Sequence, residues 1–259
     1  MRRQPGPRRW ALGAAALVSA ATLTACAPAA EPTLTALDEP IPTPVVTTAE
    51  PTAAPATTTA GPPPCATGQF QLEVEQALAA TGSYGHVTVD GLQSAEDCEV
   101  IIAFQKRMGI QPANGAPGPT TKDVAQRIAA TDITQCAPSE KPSACVDLTH
   151  QTFFIQQNGQ VLLGPTVTRT GMRGWATPAG TYTIGWRSLK AWSVPFSVWL
   201  PYWQNFVRGI GLHETTTYIH NAGIGSHGCV NLLHDDAKTA YELLTAGSTV
   251  QVYGRRPGT

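Results

Sequence analysis

The residues best suited to chemistry lie in two nearby segments, Gly211-Leu212-His213 and, after twelve further residues, Ser226-His227-Gly228-Cys229-Val230-Asn231. A cysteine with histidines nearby fits three kinds of site: a thiolate nucleophile with an imidazole base, a zinc site, or a structural thiol among unrelated histidines. Zinc is disfavoured because no acidic ligand stands at metal-ligand spacing. The spacing alone leaves the nucleophile and the structural thiol both open.

As a nucleophile, Cys229 would need help from its surroundings. A thiol with a pKa of ~8.5 is only a few per cent ionised at neutral pH, so it requires a partner base or cation. His213 is one candidate base, and His220, between His213 and the cysteine motif, is a second. Gly228 allows the backbone to turn closely beside the nucleophile.

The region that carries these residues is predicted to be mainly β-structure. Asn158-Gly159 between two apolar runs is a strong signal for a hairpin turn. In contrast, 235–244 repeats its apolar residues on one helical face. The apolar or β-rich runs lie at 146–148, 153–155, 161–163, 165–169, 181–186 and 250–253. Residues 146–254 are therefore predicted to form a mainly β domain with one helix near its C-terminal end.

The preceding residues have a helical pattern. Apolar residues recur at helical spacing from Phe70 to Leu78 and from Val100 to Met108, and a third short helix is predicted from Thr121 to Ala129. Glycine-containing and proline-containing turns separate the three segments. The predicted fold class is multidomain α+β: a small three-helix bundle at 65–135, a connector at 136–145, the mainly β domain at 146–254 and a tail at 255–259.

The N-terminus has the composition of an export signal. Four arginines within residues 2–9 precede an apolar run, 10–25, that is too short to span a bilayer comfortably. Residues 27–64 are mostly Pro, Thr and Ala without Lys or Arg, so they cannot bury enough apolar surface to become ordered. We expect a disordered, semi-rigid linker with a reach of ~100 Å. A net charge of -1 gives no reason to expect a nucleic-acid partner.

The segment around Cys229 resembles the signature of the YkuD-type L,D-transpeptidases, in which a histidine is followed at a fixed range by Ser/Thr-His-Gly-Cys. Val146-Asp147-Leu148-Thr149-His150-Gln151 and Thr177-Pro178-Ala179-Gly180-Thr181-Tyr182 are similar to the opening of that family's domain and to its Thr-Pro-x-Gly turn. The resemblance covers essentially all of 146–254. It implies a cysteine acyltransferase that cross-links peptidoglycan stem peptides, needs no metal or other cofactor, and is open to acylation by carbapenems.

The resemblance also implies a role for each residue of the motif. The family's acyl-accepting nucleophile corresponds to Cys229, and its general base corresponds to His213. Ser226 and His227 match the pair that precedes Gly-Cys. The backbone amides around Gly228 and Cys229 match the donors that face the oxyanion of the tetrahedral intermediate.

Three neighbouring positions are less constrained by the resemblance. Asn231 stands where some members have arginine, and we expect it to hold a substrate carboxylate or peptide group. Glu214 stands where the family usually has glycine or serine, and it is a candidate for orienting the imidazole of His213. The Gly-x-His context favours His213 over His220 as the base, which leaves His220 as a loop residue.

An aromatic run, Trp192–Phe206, lies upstream of the motif and matches the position of the family's substrate-covering flap. Pro201 is flanked by Trp199, Tyr202 and Trp203, which favours an exposed turn over a central strand. We expect these three aromatic residues to contact substrate; the alternative is that they belong to an ordinary core.

Two further resemblances concern the N-terminal half. Leu23-Thr24-Ala25-Cys26 resembles a lipobox, which implies that residues 1–26 are a lipoprotein signal peptide and that Cys26 carries the lipid. Val89-Asp90-Gly91, 103–110 and Gly118-Pro119-Thr120-Thr121 resemble the type 1 peptidoglycan-binding domain. Together they imply an exported protein of the cell envelope, lipid-anchored to the outer face of the cytoplasmic membrane. The alternatives are a plain cleaved signal and a purely structural helical domain.

Export makes disulfides permissible for the remaining cysteines. With Cys26 lipidated and Cys229 in the motif, four cysteines remain, and they allow three pairings that sequence cannot distinguish. Free buried thiols are the alternative. Proximity along the chain favours the pairs Cys65–Cys98 and Cys136–Cys145.

Two other functions fit the same sequence. An L,D-carboxypeptidase would form the same thioester and use water as the acceptor. A non-catalytic lipoprotein would use both domains only to bind peptidoglycan. The intact cysteine–histidine set argues against this alternative. The sequence does not reveal the acyl acceptor.

Overall fold

The computed structural model describes residues 65–221 and 223–259, which fall within one compact unit. The predicted signal peptide with Cys26 and the predicted linker at 27–64 lie outside the described residues. Within the described part, no helix is both long and apolar enough to span a bilayer.

Three helices come first along the described chain. They are α1 (Gln71–Thr81), α2 (Ala95–Arg107) and α3 (Pro119–Ala129). Their apolar faces share one core, in which Leu78, Ile101, Phe104 and Val124 are fully buried. These apolar residues come from all three helices.

Two of these helices begin earlier than their apolar periodicity predicts. α2 begins at Ala95 because Ser94 and Asp97 form a capping box, in which each side chain accepts a hydrogen bond from the other residue's backbone N–H. α3 begins at Pro119, where the missing N–H costs no hydrogen bond because the first helical turn has no partner for it. Capping residues set these starts, whereas the apolar pattern marks only the buried turns.

The rest of the described chain is mainly β-structure. A five-stranded sheet has the order β3-β2-β1-β9-β4, and a four-stranded sheet has the order β5-β6-β7-β8. The strands are β1 (Ser143–Asp147), β2 (Thr152–Gln157), β3 (Gln160–Val167), β4 (Gly180–Thr183), β5 (Arg187–Ser193), β6 (Val198–Val207), β7 (Ile210–Glu214), β8 (Val230–Leu232) and β9 (Thr249–Tyr253). Helix α4 (His234–Leu243) lies between β8 and β9 in the chain.

Both sheets and α4 contribute to one hydrophobic core. Val146 and Phe153 from the five-stranded sheet, Leu212 and Val230 from the four-stranded sheet, and Ala237 from α4 are all buried in it. The predicted mainly β domain with one late helix is therefore confirmed. β1 begins at Ser143, so the β domain starts inside the segment that we predicted as a connector, 136–145.

The hairpin predicted at Asn158-Gly159 is confirmed. β2 and β3 are antiparallel and adjacent, and both turn residues have positive φ angles, 51° and 80°. Two consecutive positive φ angles are the geometry that makes an Asn-Gly pair favourable in a two-residue hairpin.

The prediction that Pro201 lies in an exposed turn is wrong. Pro201 lies within β6 and pairs with Lys190 of β5. β7 pairs only with the later part of β6, from Gln204 to Val207, so Pro201 lies where the strand has a single neighbour. The missing N–H of proline is tolerated there because it interrupts no second ladder.

Two disulfides lie within the described residues, with sequence separations of 33 and 9. The bridges are Cys65–Cys98 and Cys136–Cys145. Of the cysteines in the described residues, Cys229 is the free one. The thiol of the Ser-His-Gly-Cys motif is therefore not engaged in a bridge.

The helical part and the β part are joined by polar contacts as well as by apolar packing. Arg107 of α2 makes two hydrogen bonds to the buried carboxylate of Asp236 in α4, at 2.6 and 3.1 Å, and Thr166 donates to the same carboxylate at 2.7 Å. Val167 and Ile219 of the β part belong to the core of the helices. Packing against the helices thus supports the loop that follows β7.

Candidate active site

The sheet topology brings the motif residues to one place. β7 and β8 are parallel neighbours, and His213 is paired with Asn231. Paired residues of neighbouring strands face the same side of a sheet, and so do residues two apart along a strand. Cys229, His213 and Asn231 accordingly line one cavity of about 290 Å³, together with Ser226 and His227.

His213 is held in one orientation by two hydrogen bonds. Its side chain is buried, and its Nδ1 lies 2.7 Å from the backbone carbonyl of Glu214. A carbonyl oxygen only accepts hydrogen bonds, so Nδ1 carries the proton and Nε2 carries the lone pair. The side chain of Glu214 points elsewhere and lies 3.0 Å from the ring of His234. The backbone of Glu214, and not its carboxylate, therefore orients the imidazole.

Asn231 contacts the other ring nitrogen. Its Nδ2 lies 2.9 Å from Nε2 of His213, and its Oδ1 accepts hydrogen bonds from two nitrogens of Arg169, at 3.2 and 3.3 Å. Because Arg169 can only donate, the amide orientation is fixed, and Nδ2 donates to the imidazole. Both ends of the Asn231 amide are thus occupied by protein groups. Asn231 thus contacts the imidazole of His213 and also lines the cavity, and the expectation that it holds a substrate group stays a prediction.

The cysteine and the histidine are both neutral in the resting site. Burial lowers the pKa of His213 to about 4; the Glu214 carbonyl opposes this effect, and the charge of Arg169 adds to it. Lowering the pKa from 6.5 to about 4 corresponds to roughly 3 kcal/mol of free energy that disfavours the protonated imidazole. Burial also raises the pKa of the Cys229 thiol, against the effect of a backbone hydrogen bond from Gly211. The geometry therefore suits a general base that takes the thiol proton during attack.

The turn before Cys229 is held by two hydroxyl groups. Ser226 Oγ donates to the Cys229 carbonyl and accepts from the Gly228 N–H at 3.1 Å, while Thr177 Oγ1 donates to the Gly228 carbonyl at 2.7 Å. Gly228 has a φ of 110°, and a Cβ there would lie 2.9 Å from Ile210. The positive φ angle favours glycine at this position, and a larger residue would also require the Ile210 side chain to move.

The same contacts show which of the two backbone N–H groups, that of Gly228 or that of Cys229, has no hydrogen-bond partner. The Gly228 N–H is already used by Ser226, so its assignment as an oxyanion donor does not fit the resting structure. The Cys229 N–H donates to no acceptor within the described residues. It is therefore the amide that remains available to a developing oxyanion.

Comparison with known proteins identifies the domain. The family model of the YkuD L,D-transpeptidase catalytic domain matches residues 141–252. The crystal structure of an L,D-transpeptidase (Yku) from Stackebrandtia nassauensis is 52% identical to this chain, with 77% of this chain and 100% of that chain covered and a TM-score of 0.74. This chain belongs to the YkuD family of L,D-transpeptidases.

Other L,D-transpeptidase structures match with lower identity. One from Mycobacterium smegmatis is 21% identical over 44% of this chain and 59% of that chain, with a TM-score of 0.39. Another, solved in complex with imipenem, is 20% identical over 43% of this chain and 58% of that chain, with a TM-score of 0.39. No curated protein matched this chain. The family places the catalytic domain among acyltransferase-type enzymes that act on peptidoglycan.

At the mouth of the transpeptidase cavity, His227 is enclosed by aromatic rings. Its ring stacks on Phe196 at 4.2 Å and meets Trp175 edge-on at 4.9 Å, measured between ring centroids. The side chain is exposed on its outer side. The structure thus places His227 at the entrance, beside Ser226 in sequence but not in the hydrogen-bonded set around His213.

The three aromatic residues predicted to contact substrate do not line the transpeptidase cavity. Trp199 packs against Trp192 on the opposite face of β6, Tyr202 packs against Tyr241 of α4, and Trp203 is buried beside the ring of His213. Side chains alternate along a strand, so the residues on either side of Trp199 face the cavity instead. The apolar wall of the cavity is formed by Phe196, Val198 and Leu200.

His220 lies away from the transpeptidase centre. Its Nε2 is 2.7 Å from the carbonyl of Met108, at the end of α2, and burial lowers its pKa. His220 therefore joins the loop after β7 to the helical part, whereas His213 lines the cavity that contains Cys229. Arg169, in contrast, lines the cavity and was missed by sequence reasoning because it belongs to none of the motifs.

Proposed function

We propose that this chain forms peptidoglycan cross-links through a thioester at Cys229. The observation that carries the proposal is that Cys229, directly before β8, and His213, in the adjacent parallel strand β7, line one cavity, with the imidazole oriented by the Glu214 carbonyl. This arrangement supplies a nucleophile, a base with a fixed lone pair, and a free backbone amide. The family acts on peptidoglycan, and we propose its stem peptides as the substrate of this chain.

The reaction follows from these groups. The Asn231 N–H moves off Nε2 of His213, and Nε2 takes the Sγ proton while Sγ attacks the carbonyl carbon between the diamino acid and D-Ala of the donor stem. The oxyanion faces the Cys229 N–H. Collapse of the tetrahedral intermediate breaks the C–N bond, and the departing amine of D-Ala receives the proton from His213. A thioester on Cys229 remains.

The second half of the reaction repeats these steps with a different amine. The side-chain amine of a neighbouring stem attacks the thioester carbonyl, and His213 takes a proton from that amine. The C–S bond breaks, Sγ regains a proton from the imidazolium, and a new amide joins the two stems. Attack by water would instead release a tripeptide, which is the carboxypeptidase reaction.

The cavity wall favours an amine over water. Phe196, Val198 and Leu200 present apolar surface beside the reacting groups, which suits the aliphatic chain of a diamino acid and limits access of water. We therefore expect tetrapeptide muropeptides to yield cross-linked dimers, identified by mass spectrometry. Leu200→Ser should shift the products toward hydrolysed tripeptide, whereas Trp199→Ala, on the opposite face of the same strand, serves as the matched control and should leave the ratio unchanged.

Two results would contradict this part of the proposal. Tripeptide monomer as the sole product over a wide range of acceptor concentrations would make the protein a carboxypeptidase. An unchanged product ratio in Leu200→Ser would show that the apolar wall does not control the choice between an amine and water. The imipenem complex of a related L,D-transpeptidase also leads us to propose that carbapenems acylate Cys229.

We further propose that Cys26 anchors the enzyme to the outer face of the cytoplasmic membrane. The support is the lipobox-like sequence, the Pro/Thr/Ala-rich linker at 27–64 and the peptidoglycan-binding-like segment at 65–135, which together hold the catalytic domain near polymer. Cys26→Ser should move the protein from the membrane fraction to the soluble fraction or block its processing. Wild-type fractionation and cleavage in that variant would exclude the lipid anchor.

A further inference from the structure

Arg169 is a buried charge without a charged partner. The residue is 6% exposed, and it lines the same cavity as Cys229. No Asp or Glu carboxylate of the described residues lies within ion-pair distance of its guanidinium. A nearly buried guanidinium is usually paired with an anion, because neutral acceptors only partly replace the water that it loses.

The hydrogen bonds of Arg169 hold it in place without neutralising it. Its acceptors are the Asn231 side-chain oxygen, the Tyr218 carbonyl at 3.0 Å, and the hydroxyls of Thr215 at 2.9 Å and Thr217 at 2.7 Å. All of these oxygens are uncharged. Nη1 donates only to Tyr218 within the described residues, so one of its two N–H groups is left for another acceptor.

The surroundings of Arg169 disfavour its positive charge further, so an anion beside it would be stabilising. Burial lowers the pKa of Arg169, and the nearby positive charge of Arg256 lowers it further, yet an arginine remains protonated at any physiological pH. Thr215 and Thr217, which contact the guanidinium, also line the cavity. A ligand that enters the cavity therefore meets a fixed positive charge beside two threonine hydroxyls that accept hydrogen bonds from it.

We propose that Arg169 binds the terminal carboxylate of the residue that the donor stem loses, an inference that rests on the proposed function. In a tetrapeptide donor, that carboxylate is two bonds from the nitrogen of the bond that breaks. Arg169 is linked to the base through the Asn231 amide, and both line the cavity that holds Cys229. The guanidinium thus places the carboxylate next to the reacting bond and selects donors that end one residue beyond it.

The test compares a tetrapeptide donor with the same peptide ending in a carboxamide. A charged hydrogen-bonded pair of this kind corresponds to a preference of ~10- to 100-fold for the free acid in kcat/KM. Arg169→Met should lower turnover of the acid to nearly that of the amide, and Arg169→Lys should keep part of the preference. Arg173→Met is the matched control, because Arg173 is exposed in the next loop and does not line the cavity.

The affinity for the two peptides tests the same role of Arg169 without depending on turnover. Calorimetry with Cys229→Ala should show the same preference for the acid, and the preference should be lost in Cys229→Ala combined with Arg169→Met. Equal binding of acid and amide to Cys229→Ala would overturn the role of Arg169, even if Arg169→Met fails to fold. If wild type turns over neither peptide while Cys229→Ala still prefers the acid, the proposed cross-linking reaction fails and the carboxylate site stands.

Discussion

Replacing Cys229 with alanine should lower the rate of cross-link formation by about 10⁴-fold or more, because no covalent intermediate can form. Cys229 is the free cysteine among those in the described residues, and it lies in the cavity with His213. The remaining groups would still bind the donor and face its carbonyl, but none of them carries a nucleophilic sulfur. Initial rates of D-Ala release and dimer formation, separated by chromatography, measure the loss.

The fold should survive this substitution. Cys229 is only partly buried and precedes β8, so alanine removes one sulfur atom without changing the backbone of the Gly-Cys turn. We expect an unchanged circular dichroism spectrum and a small change in Tm. Turnover close to that of wild type in a folded Cys229→Ala would show that the nucleophile lies elsewhere.

His213→Gln should lower the rate of acylation by ~10²- to 10⁴-fold, the range expected when a general base is removed. The effect is large because burial keeps the thiol neutral, so attack requires a group that accepts its proton. Glutamine retains a donor for the Glu214 carbonyl and roughly fills the space of the ring. His220→Gln is the matched control, since His220 contacts the Met108 carbonyl outside the cavity. The acylation rate of this variant should match that of wild type.

The pH dependence follows from the same histidine. Because the pKa of His213 is lowered to about 4, its neutral form is present above that pH and is lost as the pH falls through it. The acid limb of kcat/KM for wild type should therefore have its midpoint near 4, and this limb should disappear in His213→Gln. A midpoint at 6.5 or above would contradict a buried, neutral imidazole.

Sequence patterns located the candidate catalytic residues, which lie in one cavity, because the motif is local. The Ser-His-Gly-Cys segment and the upstream histidine are short strings with distinctive spacing, and the structure places both in one cavity. The Asn-Gly hairpin and the late helix were also predictable, since each depends on a few adjacent residues. The parallel pairing of β7 with β8, which makes the site, is a long-range contact that no local pattern reports.

The features of the site that sequence did not predict depend on contacts between residues far apart in the chain. Arg169 reaches Asn231, 62 positions away, and it carries no motif of its own. The contacts of the Asn231 amide with His213 and Arg169 were likewise not predicted from sequence. The strand register, which sequence did not reveal, turned Trp199 away from the cavity and brought Leu200 into it.

The most direct test of the account is the mass of the intact protein after mixing with a tetrapeptide donor and no acceptor, followed by an acid quench. We predict one adduct with the mass of the donor acyl group, that is, the donor minus D-Ala, and peptide mapping should locate it on Cys229. The same experiment with Cys229→Ala should show no adduct. Release of D-Ala from wild type with no covalent species, or with the adduct on another residue, would contradict the thioester mechanism.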